Sequence, residues 1–321
     1  MTSTHAWSKP PEVYCRLLQE FERQFDYPLT DTRRFRIEHS LDYERFFAAM
    51  GDSVTVVVEN EGKILGVLSA AIRKLHLTEN KTEKWLYIGD VKIEPSERGR
   101  HVLKRLFVAT RTWVGNRCTK GYSVVMDGTG VTPHMYTGRL GIPEFRAIQS
   151  VKLLAFSTQS FKQHSVDSAM VHTSEDPSSF DEIMKAIRTR SPAPRWSIEN
   201  ITFRSRLSPV CFTVPRTGCI GFLEDTRSAK RLYDSDSGEL LYAHMSNVQY
   251  ESIEELVPIV VEAAKTAHTH GLTHMLLAVP ATECSILTDA FDKTQYDVFS
   301  STVYATEKTK GYEMPISSSE I

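Results

Sequence analysis

The sequence predicts an α/β fold of the α+β kind built from two similar halves, and three observations carry that prediction. Residues 85–93 read as a strand that turns through a basic, glycine-containing loop into a helix, because Val102, Leu103, Leu106, Phe107, Thr110 and Val114 recur at helical spacing. Two apolar runs, residues 54–58 and 64–71, are joined by the turn-forming residues 59–63 and read as a hairpin next to that strand. A second hairpin, strand and glycine-ended helix follow later in the chain. The two capping glycines, Gly121 and Gly271, stand about 150 residues apart, as a duplication would place them. With 321 residues and 41% hydrophobic content, the chain can fill about two ordinary cores.

Taken in order, Val13, Leu17, Leu18 and Phe21 lie at helical spacing and make residues 1–34 a helical segment. The strand at 85–93 stops at Pro95, which has no ladder donor. Beyond it, Arg98 and Arg100 stand beside the unpaired backbone N–H groups of a helix start, an arrangement that attracts phosphate or pyrophosphate. Gly121 is expected to cap that helix; residues 122–126 form the next strand, a short helix runs through Met135 and Tyr136, and 145–154 are β-rich. Polar residues between 157 and 168 break the pattern and place a boundary between a domain of residues 35–162 and one of 163–307. The second domain reads as a strand at 170–173, a helix at 180–187, a loop at 190–195, a hairpin at 210–214 and 218–223, and a strand at 240–245. A helix at 252–270, weakened in its first turns by Pro258, ends at Gly271 and leads to a strand at 274–279. Residues 308–321 are polar and read as a mobile tail.

Composition narrows the function classes. A formal net charge of −2 gives no global attraction to nucleic acid or to an anionic membrane. No stretch approaches the roughly 20 apolar residues of a membrane span, and the first residues lack a basic region followed by an apolar core. The five cysteines are odd in number, scattered and without a C-x-x-C pair, so reduced, mostly buried thiols and a cytoplasmic location are expected. Residues 128–130 carry no P-loop lysine. His268, His270 and His274 straddle a helix end and face different directions, so no metal is expected.

The order hairpin, strand, basic loop, helix, strand, short helix, strand resembles the GNAT superfamily of acyl-CoA-dependent N-acyltransferases over residues 35–160. Its sharpest part is Ile93-x-Pro95-x-x-Arg98-Gly99-Arg100, similar to the family's hydrophobic-x-Pro-x-x-Arg/Gln run into a loop of pattern Arg/Gln-x-x-Gly-x-Gly/Ala. Arg98 matches the first position, whereas His101 replaces the first glycine and Leu103 the final small residue. Leucine at that last position is similar to tandem-GNAT acetyltransferases of the enhanced-intracellular-survival type. A side chain at the first glycine either crowds the pyrophosphate, forces an unusual backbone angle, or offers an imidazole to the phosphate.

The resemblance implies two tandem GNAT-like domains, each a mixed, mostly antiparallel twisted sheet flanked by helices. The first would bind acetyl-CoA or another acyl-CoA through Val91, Ile93, Arg98, Gly99, Arg100, His101, Val102 and Leu103. The second would be a degenerate copy, since Glu251, Glu254 and Glu255 stand where the first has arginines and acids repel a pyrophosphate. Transfer to a small-molecule or peptide amine then needs a proton acceptor for the amine, a donor for the thioester oxygen and a proton for the departing thiolate. Tyr136 is the expected proton donor, although counting back from Gly141 puts the family's tyrosine position on Thr137, with His134 as a neighbour. Asp90 is the expected general base, with a structural ion pair to Lys92 as the alternative, because the two share a strand face. Two other readings stay open: a degenerate GNAT that binds CoA or another ligand without turnover, and an interaction scaffold. An exposed sheet edge also leaves room for a homodimer.

Overall fold

The computed structural model describes residues 2–29, 32–78, 81–139, 141–163, 170–176, 180, 182, 197–198, 205–234, 238–308, 313–314 and 316–321. In chain order the first half contains strand β1 (Thr2–Trp7), helix α1 (Glu12–Glu22), β2 (Tyr27–Pro28), β3 (Arg34–His39), α2 (Arg45–Ala48), β4 (Asp52–Asn60), β5 (Lys63–Thr78) and β6 (Lys81–Ile93). It continues with α3 (Val102–Val114), β7 (Lys120–Met126), α4 (Pro133–Tyr136) and β8 (Arg146–Ser157). The second half contains β9 (His172–Ser174), β10 (Ser197–Ile198), β11 (Val210–Val214), β12 (Cys219–Glu224), β13 (Lys230–Asp234), β14 (Gly238–Leu240) and β15 (Tyr242–Gln249). It ends with α5 (Leu256–Thr269), β16 (His274–Pro280), α6 (Cys284–Thr288) and β17 (Tyr296–Ala305).

Thirteen strands form one mixed sheet in the order β1-β4-β5-β6-β7-β17-β8-β16-β15-β12-β11-β9, with β10 beside β5. Among the described residues only β6 with β7 and β15 with β16 pair in parallel, so each half repeats the same pattern of a hairpin, a parallel neighbour and a crossover helix. The boundary at residue 162 does not divide this sheet. The strand β8 follows β7 in the chain yet pairs with β16 and β17, while β17 follows β16 and pairs with β7 and β8. Each half thus lends its last strand to the other, and the two lobes share one hydrogen-bonded ladder. A second sheet, β14-β13-β3-β2, likewise joins strands of both halves.

The valine run of β4 is buried on both faces, which is why it reads as a continuous apolar stretch and not as an alternating one. Val57 packs on Cys15, Leu18 and Phe21 of α1, whereas Val54, Val56 and Val58 pack on Val102 and Leu106 of α3. Gly66 allows α3 to approach, since a Cβ there would meet Val102 Cγ1 at 2.7 Å. In the other lobe, α5 lays Leu256, Ile259, Val260, Ala263, Ala264 and Ala267 on β12, β15 and β16. Pro258 lies in the first turn of α5, where its missing N–H costs nothing.

Several expectations are corrected. Residues 2–7 form the strand β1, paired with β4, so the first 34 residues are not wholly helical. The helix α3 ends at Val114, where Gly115 at φ +55° donates to Arg111 O; Gly121 lies inside β7. Gly271, at φ +73°, does close α5. The expected strand at 240–245 splits into β14 and β15. The helix expected at 180–187 and the loop at 190–195 lie largely outside the described residues. Of the expected mobile tail, the described residues from 314 on are packed: Met314, Ile316 and residues 317–320 are buried, Glu320 pairs with Arg73 at 2.8 Å, and Lys230 donates to Ser319 O and Ile321 O.

Candidate active site

Strands β6 and β7 hold parallel register only from Trp85 opposite Lys120 to Tyr87 opposite Tyr122. Past that point β6 runs on to Ile93 and β7 to Met126 without pairing each other, so the sheet opens between them. A bulge in β6 between Gly89 and Lys92, with Asp90 at φ +57°, turns the strand away and enhances the opening. The resulting cleft of about 150 Å³ is bounded by Gly89, Asp90 and Val91 of β6, by residues 123–126 of β7, and by Tyr136 of α4. The small sheet and the buried tail close its other side through Phe35, His39, Lys230 and Glu320.

Beyond Ile93 the chain makes a 3-10 turn, Pro95–Glu97, and enters α3. The structure brings Arg98, Gly99, Arg100 and His101 together at the exposed start of that helix, where no side chain caps the first N–H groups. Arg100 pairs with Glu97 at 3.2 Å on the surface, an interaction that solvent keeps weak. His101 adopts the left-handed angle, φ +66°, that the family's glycine would supply without strain. Val102 is buried and Leu103 half-buried, so these two anchor the helix while the arginines stay exposed.

Tyr136 is half-buried at the cleft, and burial, reinforced by Tyr304, pushes its phenol above the ordinary range, which keeps it a proton carrier near neutrality. Thr137 is spent on structure: its hydroxyl donates to Pro133 O at 2.8 Å and accepts from Phe145 N at 2.9 Å. His134 is exposed and stacks on Tyr304 at 5.8 Å. Of these three, only Tyr136 lines the cleft.

Asp90 sits in a buried polar cluster that the sequence reading did not assemble. Its carboxylate accepts from Lys92 Nζ and from the Tyr43 hydroxyl, and lies 3.4 Å from His39 Nδ1. Lys92 also reaches Glu22 Oε1 at 2.8 Å, and Glu22 in turn holds His39 Nδ1 at 2.7 Å and the His39 N–H at 2.9 Å. Burial alone would raise the Asp90 carboxyl, but the charge of Lys92, then His39, and the bonds from Lys92 and Tyr43 hold it well below the usual range. Burial likewise would lower Lys92, yet Asp90 and Glu22 hold it well above its ordinary value. Burial also pushes the nearby Tyr27 phenol up to about 12. An ionised carboxylate held this firmly is a poor proton acceptor, which argues against Asp90 as general base; the ion pair with Lys92 is what forms.

Glu22, His39 and Asp90 offer ligand atoms within 4.8 Å of one another, a spacing that would suit a cation. The Lys92 ammonium already stands between the two carboxylates and supplies that charge. A signal for the missed residues did exist. Glu22 falls on the buried stripe Cys15, Leu18, Glu22 of α1, where an isolated acid must find a partner.

No protein-family model and no curated protein matches this sequence. Among solved structures, Saccharomyces cerevisiae N-myristoyltransferase with bound myristoyl-CoA is similar at TM-score 0.62 and 10% identity, over 95% of this chain and 82% of the yeast chain. A conserved Enterococcus faecalis protein of unknown function, a probable N-acyltransferase, is similar at TM-score 0.51 and 7% identity, over 94% of this chain and 72% of that one. The GCN5-related glucosamine N-acetyltransferase region of a fungal multi-domain GH3 β-N-acetylglucosaminidase is similar at TM-score 0.54 and 13% identity, over 95% of this chain and 38% of that one. The fold is therefore that of the GNAT N-acyltransferases. Within that class, the tandem arrangement fits the two-lobed fold of N-myristoyltransferase. Among the described residues no helix is long and apolar enough to cross a membrane.

Proposed function

We propose that this protein is an acyl-CoA-dependent N-acyltransferase that joins a short acyl group to an amine of a small molecule or peptide. The observation that carries the reading is the opening between β6 and β7, a cleft with Tyr136 at its wall and a basic helix start at the end of the same strand. The pyrophosphate of acyl-CoA would lie on the first N–H groups of α3, with Arg98 and Arg100 supplying charge and Gly99 and His101 shaping the turn. The pantetheine arm would run along Val91 and Ile93, whose strand edge has no β7 partner, and a backbone N–H there would meet the thioester oxygen. The amine nitrogen attacks the carbonyl carbon and loses a proton to a base in the cleft or to water, the carbon–sulfur bond breaks, and the Tyr136 phenol gives its proton to the departing thiolate, to be reprotonated from water. A cleft of about 150 Å³ favours an acetyl or similarly short group over a long chain, since a cavity of about this size takes one benzene-sized molecule.

Calorimetric titration of CoA, acetyl-CoA and myristoyl-CoA into the wild type and an Arg98→Ala/Arg100→Ala variant tests the site. Micromolar binding by the wild type, weakened at least tenfold in the variant, is expected; a wild type that binds none of the three rejects the reading. His101 at the glycine position favours a second reading, a protein that binds CoA without turnover. Thiol release from acetyl-CoA in the presence of amines separates the two, and Tyr136→Phe is expected to lower that rate about a hundredfold while leaving acetyl-CoA binding unchanged.

A further inference from the structure

We infer that His39, oriented by Glu22, is the general base that takes the proton of the attacking amine; this rests on the acyltransferase reading above. His39 ends β3 and lines the same cleft as Tyr136. Both of its ring contacts leave from one nitrogen: Nδ1 lies 2.7 Å from Glu22 Oε1 and 3.4 Å from Asp90 Oδ2. The other nitrogen, Nε2, has no hydrogen-bonding partner among the described residues, and the ring, 3% exposed, belongs to the wall of the cleft. A carboxylate on Nδ1 selects the tautomer with its proton there, which leaves the Nε2 lone pair to accept. The ring is also held in place, with centroids of Tyr43, Phe46 and Phe47 at 4.7, 5.6 and 5.8 Å.

Charged groups from several elements pack around the imidazole. Glu22 from α1 and Asp90 and Lys92 from β6 face it directly, and these sum to one negative charge when the ring is neutral. Tyr43 bonds the same carboxylates, and Tyr136, Lys230 and Glu320 face it across the cleft. As the nitrogen–carbon bond forms and the carbon–sulfur bond breaks, the amine proton passes to His39 Nε2 and the Tyr136 proton to the thiolate. Exchange of both groups with water restores the imidazole and the phenol. Glu22 acts as a positioning residue, since it touches the ring and not the substrate.

The test uses His39→Asn, whose amide can still donate to Glu22 but offers no base, with acetyl-CoA and glycinamide as substrates. A loss of kcat of at least a hundredfold is expected, with acetyl-CoA affinity unchanged by calorimetry, disappearance of the acid limb of the wild-type pH profile, and partial rescue by added imidazole. Glu22→Gln is expected to keep that limb and move it. An acid limb and a kcat within tenfold of wild type in His39→Asn would overturn the proposal while leaving the acyltransferase reading intact; a wild type that does not bind acetyl-CoA would overturn both. Imidazole ¹⁵N spectra give a readout that needs no turnover: a bare Nε2 at pH 8 supports the assignment, and a protonated Nε2 on a neutral ring refutes it.

Discussion

Replacing Glu320 by glutamine removes the anion that fastens the C-terminal segment to the middle of β5. Arg73 is 1% exposed and its Nη1 donates to Glu320 Oε2 at 2.8 Å and to the Tyr122 hydroxyl. At that separation and an effective dielectric near 20 the attraction is about 6 kcal/mol, but removing two ions from water offsets most of it. The pair therefore contributes little beyond what a well-packed apolar pair would. The single change is different, because it leaves a buried guanidinium without its counter-ion, at a cost of about 3–5 kcal/mol. With a urea dependence of roughly 3 kcal/mol per molar for a chain of this size, the midpoint should fall by about 1 M or more. Urea titrations followed by circular dichroism and by tryptophan fluorescence, at pH 7.5, measure this directly. The Arg73→Met/Glu320→Leu double variant should recover most of the loss. A Glu320→Gln midpoint within about 0.3 M of wild type, or a double variant no better than either single one, would refute the argument.

Two further predictions concern the other buried groups. Asp90 is held below its unfolded value of about 3.9, so its contribution to stability is complete above that value and drains away as pH falls toward the depressed folded value; the urea midpoint of wild type should drop more between pH 6 and pH 3 than that of Asp90→Asn, and equal drops would exclude this linkage. Burial pushes the Cys211 thiol up to about 12 and raises Cys219 as well, so N-ethylmaleimide at pH 8, read by mass spectrometry, should modify half-buried Cys118 and Cys284 in the native protein, and Cys211 and Cys219 only after unfolding.

Much of the first lobe was legible because its signals are local. The run from β6 through Pro95 into α3, the β4–β5 hairpin and the short helix α4 each rest on spacing or turn chemistry within a dozen residues. The left-handed angle at His101 was also foreseeable, since a family glycine there leaves few other backbone choices. Gly121 misled because a glycine after a helical pattern marks a cap only if the chain actually turns there, and Gly115 turns first. The tail misled for a different reason. Ser317, Ser318, Ser319 and Glu320 look solvated by hydropathy, yet they are buried because folding supplies partners: Arg73 for Glu320, Lys230 for Ser319 O, and Met245 O and His244 for the Ser318 hydroxyl. No window along the chain can register a bond between residues 247 positions apart.

The local pattern of the chain was enough for the β4–β5 hairpin, the run from β6 into α3, the helix α5 and the basic helix start, because each depends on short-range periodicity and backbone chemistry, whereas β1, β3, β13 and β17 carried no such signal. It also read Tyr136 as part of a short helix, which the fold sets at the cleft, and it carried the Asp90–Lys92 pair as an alternative from strand period. The exchange of β8 and β17 between lobes was settled by packing, since nothing local in either strand names its partner. It was folding that brought Glu22, His39, Tyr43 and Lys92 around Asp90, tying its carboxylate into an ion pair and setting His39 in the wall of the cleft. The reason is electrostatic: the protonation state of a buried group is set by the charges that folding packs against it, and those arrive from α1, β3 and β6, elements that are far apart along the chain.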